Sequence, residues 1–409
     1  MRKRVVVTGI GALTSLGSDF ESVREAMIAG RNGIRRMEEW AKYTDLNTKL
    51  GGPISDFSLP PQYTRKRIRA MGRTAQLATR ASEMALEDAG LLGDAVVSDG
   101  RTGIAFGSSF GSTEPVLAFT SMLREQTTRG INATTYVRMM SHTSAVNAAM
   151  FFGIKGRLIA TSTACTSGSQ GIGYAYEAIA NDKQTVMLAG GSEELCATQA
   201  AVFDTLFATS TRNDAPGETP RPFDKDRDGL VIGEGACTFV LEELDFARAR
   251  GARILAEVVG YGTNCDAQHV TQPTAGTMEI AMRLALDDAK LSPEAVGFVC
   301  AHGTATDLGD IAESVATHAV FGERIAISAP KSYFGHTLGA CGSIESWLAI
   351  EMMNHEWFAP TLNLCNLDPQ CADLDYITGE GRRLGAEYVM NNNFAFGGIN
   401  TSLIFRRWN

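Results

Sequence analysis

Residues Ile159 to Ile179 read "IATSTACTSGSQGIGYAYEAI". A short β-branched run leads into a turn of small polar residues holding one cysteine, Cys165, and then into a helical pattern running toward Ala180. Ala326 to Ile350, "AISAPKSYFGHTLGACGSIESWLAI", repeats that order of strand, small-residue turn and helix. Two such units point to a duplicated architecture with its boundary near residue 250, dividing the chain into 1–250 and 251–409. No short-period repeat is visible.

Other short apolar runs end in glycine or turn residues and read as strands: "RVVVTGI", "RTGIAFG", "QTVMLAG", "GACTFVLEEL", "ILAEVVGYG" and "AVGFVCAHG". Helical patterns such as "RTAQLATRASEMALEDAGLL", ending near Gly90, alternate with them, so the class is α/β. With 409 residues, 44% hydrophobic and 20% charged, the chain exceeds the size of one ordinary core and fits a globular enzyme. A net charge of −9 argues against a broad nucleic-acid surface. The basic start, "MRKRVVVTGIGALTSLG", is interrupted by glycine and threonine and reads as a buried strand rather than a leader. Leu158 to Tyr176 is too rich in Ser, Thr and Gly for a membrane span. This reading places the protein in the cytoplasm, with no membrane partner. The eight cysteines show neither metal spacing nor a disulfide framework.

Two motifs mislead. In "GIGALTSLG", Gly9 and Gly11 follow a strand, but Thr14 stands where a dinucleotide fingerprint needs a small residue, so a tight strand-to-helix turn is expected. In "DKDRDGLVIGEG", Asp224, Asp226, Asp228 and Gly229 match half of a calcium loop, but Gly235 occupies the place of the bidentate glutamate.

A thiol at the start of a helix faces unpaired N–H groups and the positive end of the dipole, which favour thiolate and lower its pKa. Cys165 therefore reads either as a nucleophile or as a buried helix-start cysteine; as a nucleophile it would be alkylated ahead of the other cysteines. His302 closes the strand in "CAHGTATDLGD", and His336 lies on the glycine-rich turn of the repeated unit. Turns at strand ends are where α/β proteins keep catalytic groups, which favours the nucleophile.

"TACTSGSQ", "EELCATQAAVFDTL", "RPFDKDRDGLVIGEGA", "AHGTATDLGD", "KSYFGHTLGACG" and "NNNFAFGGINTSLIF" together resemble the elongating β-ketoacyl-acyl-carrier-protein synthases along essentially the whole chain. The resemblance implies the thiolase fold, two similar α/β halves in a five-layered α-β-α-β-α arrangement. The nucleophile would lie in 1–250, and the two histidines and a gating loop in 251–409. It implies an acyltransferase that loads an acyl primer on Cys165 and condenses it, with loss of carbon dioxide, onto malonyl-acyl-carrier protein. His302 and His336 would complete a Cys-His-His set, with Lys331 and Glu313 in support. Thr304 and Thr306 would hold the pantetheine arm. The N–H groups of Cys165 and Phe396 would form the oxyanion hole, with Phe396 also acting as gate. No metal or redox cofactor is implied, the substrates being carried on the phosphopantetheine of acyl carrier protein.

The partners implied are acyl carrier protein and a second copy of the chain. The alternative is a polyketide or polyene ketosynthase that pairs with a related subunit as a heterodimer. Asp56 to Glu83 has no acid between its ends and six basic residues, among them Arg65, Lys66 and Arg69; with Arg129 these are the docking candidates for an acidic carrier. The sequence departs from the family at Ala395 and Ile399 beside the gate, and at Tyr333 and Phe334 before His336. It departs also at Phe110 in "GSSFGST", a position that lines the far end of the acyl pocket in the family. Phe110 and Phe334 are therefore the candidates for setting chain length.

Overall fold

The structure, a computed structural model, describes residues 2–409. Eleven strands among them form one continuous sheet. They are β1 (Val5–Leu13), β2 (Thr102–Gly107), β3 (Leu158–Thr161), β4 (Val186–Glu193), β5 (Gly235–Glu243), β6 (Ala256–Cys265), β7 (Val296–Cys300), β8 (Ala326–Ser328), β9 (Asp375–Tyr376), β10 (Tyr388–Ala395) and β11 (Ile399–Arg407). All six runs read as strands from their apolar residues are strands here.

The sheet order carries the duplication. Across the first half it is β3-β2-β4-β5-β1, and across the second β8-β7-β10-β11-β6, with β9 added at the far edge. β2 pairs parallel with β3 and β4, while β5 runs antiparallel to β4 and β1. The second half repeats this: β7 is parallel to β8 and β10, and β11 is antiparallel to β10 and β6. The halves join where Val5–Val7 of β1 pairs with Ala256–Val258 of β6.

Helices α1 (Arg73–Asp88) and α2 (Thr143–Phe152) cover the outside of the first half, and α4 (Ala275–Ala289) and α5 (Asp307–Phe321) the second. Between the halves lie α3 (Ser167–Ala180) and α6 (Cys341–Asn354), which pack on each other and on strands of both sides. This is the five-layered thiolase arrangement. Both inner helices are buried nearly all round, so their apolar residues do not form a single stripe.

Gly9 and Gly11 do not form the expected turn; β1 runs on through Leu13. A Cβ at either glycine would sit 2.4 or 2.2 Å from the carbonyl oxygens of Ala85 and Ala81 on α1. Gly260 and Gly262 of β6 stand in the same relation to α4, at 2.4 and 2.1 Å from Ala285 and Ala281. The glycines let a helix lie directly on the strand in both halves. The half-motif for calcium is taken up by structure: Asp224 accepts the N–H groups of Asp226, Cys365 and Asn366, and Arg227 is buried against Asp310 and Asp368.

Candidate active site

Cys165, His302 and Phe396 lie just past the ends of strands, and His336 follows the short helix Lys331–Phe334. Cys165 sits in a 3₁₀ turn, Ala164–Thr166, between β3 and α3, and Leu338–Ala340 forms the matching turn before α6. Ala164 and Leu338 hold left-handed backbone angles, φ 49° and 46°, a strained conformation for a residue with a side chain. The duplicated turns thus bring the nucleophile of one half against the histidine loop of the other: His336 Nε2 lies 3.0 Å from Cys165 Sγ.

Outer partners fix both imidazoles. The Leu338 N–H donates to His336 Nδ1 at 3.0 Å, and the Lys331 ammonium donates to His302 Nδ1 at 3.0 Å and to the His302 carbonyl at 2.6 Å. Each Nδ1 is an acceptor, so each Nε2 carries the proton. The rings meet edge to face, centroids 5.2 Å apart. Burial, with the positive charge of Lys331, pushes both histidines well below their ordinary value, so they are neutral donors. The ligand atoms of Cys165, His302 and His336 lie within 4.8 Å of one another, a metal-like spacing. Two Nε2–H groups facing inward offer no lone pairs to a cation, however, so the donor set does not fit a metal.

Lys331 is buried and paired with Glu345. Burial would push it down, but Glu345 and its neighbours hold it above its ordinary value, so it remains charged. Glu345 in turn accepts Asn393 Nδ2 at 2.7 Å. Glu313, on α5, accepts the N–H groups of His302 and Gly303, each at 2.7 Å, and burial pushes it up to about 8.

Cys165 behaves differently from the expectation. Burial pushes its thiol up to about 11, against the downward pull of Lys331 and of the N–H groups of Phe396 and Cys165 itself. The thiol is only 4% exposed, so loss of water outweighs the helix end. Cys265 and Cys365 are the exposed cysteines, which removes the basis for preferential alkylation of Cys165.

A cleft of about 420 Å³ leads from the surface to Cys165, with Thr304, Thr306, Glu313, Phe396 and both histidines along it. The Thr304 and Thr306 hydroxyls are 2.8 Å apart. Phe396 stands in the tight turn between β10 and β11, its ring 5.0 Å from that of Phe203. Ala395 and Ile399 are the cross-strand pair that closes this turn, and Gly397 and Gly398 supply its positive φ angles. The extra Cβ of Ala395 is therefore carried by a strand residue, outside the turn itself.

Two candidates fall outside the cleft. Phe334 is buried in the core, its carbonyl against Gly52 and Gly233, because the short helix Lys331–Phe334 turns its ring inward. Phe110 follows β2 on the surface, 44% exposed, so within one chain its ring lines no pocket at Cys165. Arg65, Lys66, Arg69 and Arg129 are exposed, and among the described residues none is paired with a carboxylate. Their neighbour Arg67 is occupied, stacked 3.6 Å over the Phe151 ring. Sequence reasoning missed Glu345, Asn393 and Phe203. An acid inside the apolar "CGSIESWLAI" was the available signal for Glu345; the other two gave none.

A thiolase-type duplication with a buried cysteine facing two Nε2–H donors defines a condensing acyltransferase. Family models for "Beta-ketoacyl synthase, N-terminal domain" and "Beta-ketoacyl synthase, C-terminal domain" match residues 2–247 and 255–365. The chain belongs to the β-ketoacyl synthase family. It is 38% identical to 3-oxoacyl-[acyl-carrier-protein] synthase 2 of Vibrio cholerae, over 99% of each chain. Among solved structures, a β-ketoacyl synthase from Burkholderia phymatum superposes with TM-score 0.98 at 59% identity, over 100% of both chains. A type II polyketide ketosynthase solved with its acyl-carrier protein superposes with TM-score 0.88 at 30% identity, also over 100% of both. The protein is an acyltransferase of the 3-oxoacyl-acyl-carrier-protein synthase type, which extends acyl chains in fatty acid synthesis by decarboxylative condensation.

Proposed function

We infer that Cys165, His302 and His336 carry out this condensation in the following roles. The Cys165 thiol gives up its proton, which ends on the departing carrier sulfur, as its own sulfur attacks the carbonyl carbon of an acyl-carrier-protein thioester. The carrier thiolate leaves and takes up a proton, and the N–H groups of Cys165 and Phe396 hold the oxyanion. Malonyl-carrier protein then binds with its thioester oxygen between the two Nε2–H groups. As the bond to the carboxylate breaks and carbon dioxide leaves, that electron pair forms an enolate on this oxygen. Its carbon attacks the acyl-Cys165 carbonyl, the Cys165 thiolate departs and takes up a proton from solvent, and the product is a β-ketoacyl-carrier protein two carbons longer. Thr304 and Thr306 hold the pantetheine arm, and no metal or redox cofactor takes part.

The observation that carries the reading is the pair of filled Nδ1 atoms, since only a histidine with its proton on Nε2 can donate to an enolate oxygen. Carbon dioxide release from malonyl-carrier protein and acyl transfer to Cys165, measured separately in His302 and His336 variants, test it. The likeness to a polyketide ketosynthase supports a second reading, repeated condensation without reduction between rounds. Product mass from purified enzyme, carrier and malonyl units alone distinguishes the two.

The chain works in the cytoplasm as a homodimer in this reading. No helix among the described residues is long and apolar enough to cross a membrane. β3 is an open sheet edge carrying Leu158, 42% exposed, and β2 beside it leads to Phe110. A second copy pairing on that edge would cover both. Under the alternative, a related subunit takes that place.

A further inference from the structure

One buried acid has no place in the roles above. Glu193 closes β4 in the interior, where its carboxylate is met by hydrogen-bond donors rather than by a cation. Its Oε2 accepts the Ser109 N–H at 2.7 Å and the Gly339 N–H at 3.1 Å. Its Oε1 accepts the Ser108 hydroxyl at 3.1 Å and faces Gln199 Nε2 at 3.5 Å. Burial without a cation is costly for a carboxylate and pushes Glu193 up to about 7. Gly339 directly follows Leu338, whose N–H fills His336 Nδ1. The left-handed angle of Leu338 persists only where its neighbours fix it, and Glu193 anchors the next N–H of the same turn.

The duplication places a matching group behind the other histidine. Gly107 at the end of β2 pairs with Gly191 of β4, and Cys300 at the end of β7 pairs with Asn391 of β10, so Glu193 and Asn393, each two residues on, hold equivalent places. Asn393 Nδ2 stands 3.4 Å from His302 Nδ1 and donates to Glu345, the partner of Lys331. We propose that Glu193 is a positioning residue for His336: through the Gly339 N–H it holds the turn whose Leu338 N–H keeps the His336 proton on Nε2. The proposal rests on the reading that His336 donates to the enolate oxygen. Glu193 does not line the cleft, so its loss is felt at decarboxylation more than at acylation of Cys165.

The measurement is the ratio of carbon dioxide release from malonyl-carrier protein to acyl transfer onto Cys165. Loss of folded protein leaves this ratio unchanged, because both rates fall together. Glu193→Leu keeps the bulk and removes the acceptors, and should lower the ratio about 10- to 100-fold, the scale of a small misplacement of a catalytic group. Glu193→Gln, whose oxygen can still serve Ser109 and Gly339, should stay near the parent. Gly339→Ala pushes the same contact apart with a Cβ 2.8 Å from Glu193 Oε2, and carries the test if the leucine variant does not fold. A parental ratio in Glu193→Leu or Gly339→Ala overturns the proposal, as does a Glu193→Gln enzyme impaired as much as Glu193→Leu. A His336→Ala enzyme with an unchanged ratio would instead overturn the histidine reading, and this proposal with it.

Discussion

Replacing Lys331 by methionine separates what the buried ion pair does for the fold from what it does for the chemistry. Lys331 and Glu345 side chains are 2% and 3% exposed. Removing the cation alone leaves a carboxylate in the interior, a change that costs about 3–5 kcal/mol. Lys331→Met/Glu345→Gln removes both charges, so it should be more stable than Lys331→Met alone. The pair should therefore be strongly non-additive in a double-mutant cycle read by thermal unfolding.

Catalysis should not follow stability. In both variants His302 Nδ1 loses its short contact to Lys331 and keeps only the long one to Asn393 Nδ2 at 3.4 Å, so it can take the ring proton and Nε2 no longer donates to the enolate. Loss of one preorganised donor of this kind lowers a rate by about 10²–10³-fold. Carbon dioxide release from malonyl-carrier protein should fall by that factor in the single and in the double variant. Acylation of Cys165 should slow less, through the loss of the positive charge that pulls its pKa down. Decarboxylation that returns along with stability in the double variant would refute the tautomer argument.

His302→Ala and His336→Ala should each block decarboxylation while leaving appreciable acylation, seen by intact-protein mass after incubation with acyl-carrier protein; a variant that decarboxylates normally removes that histidine from the mechanism. Because burial raises Cys165 to about 11, its thiol is protonated at pH 7, and its alkylation by iodoacetamide should climb about tenfold per pH unit from 7 to 10. At pH 7 the exposed Cys265 and Cys365 should label first, and a Cys165 rate that levels off by pH 8 contradicts the burial argument. Charge reversal at Lys66 and Arg69 should raise KM for carrier-bound substrate at low ionic strength and spare pantetheine thioesters, whereas an unchanged KM would leave those residues as ordinary solvated surface.

Much of the site was legible because its chemistry is local. A cysteine between a strand and a helix, and histidines on strand-end turns, announce themselves through residue type and position in an α/β pattern. The duplication showed as the likeness of Ile159–Ile179 to Ala326–Ile350, since both must form a strand, a tight turn and a buried helix. The glycine pairs 9/11 and 260/262 carried the same message, but in sequence they look like turn residues. Only the packed helices α1 and α4 reveal them as contact points.

What the sequence by itself determined was the order of elements, the α/β class and the residues able to do chemistry, because these follow from local periodicity and side-chain type. Tertiary structure alone decided how those residues act. The proton sits on Nε2 because Leu338 N–H and Lys331 fill the two Nδ1 atoms, and the Lys331–Glu345 pair spans two elements. The Cys165 thiol is raised rather than lowered because burial, a sum over neighbours remote in sequence, outweighs the end of its own helix. Phe110 and Phe334 illustrate the same limit. Both are bulky aromatics near family motifs, yet within one chain the first is exposed beside the open sheet edge and the second is buried in the core, since a ring's direction is set by what packs around it.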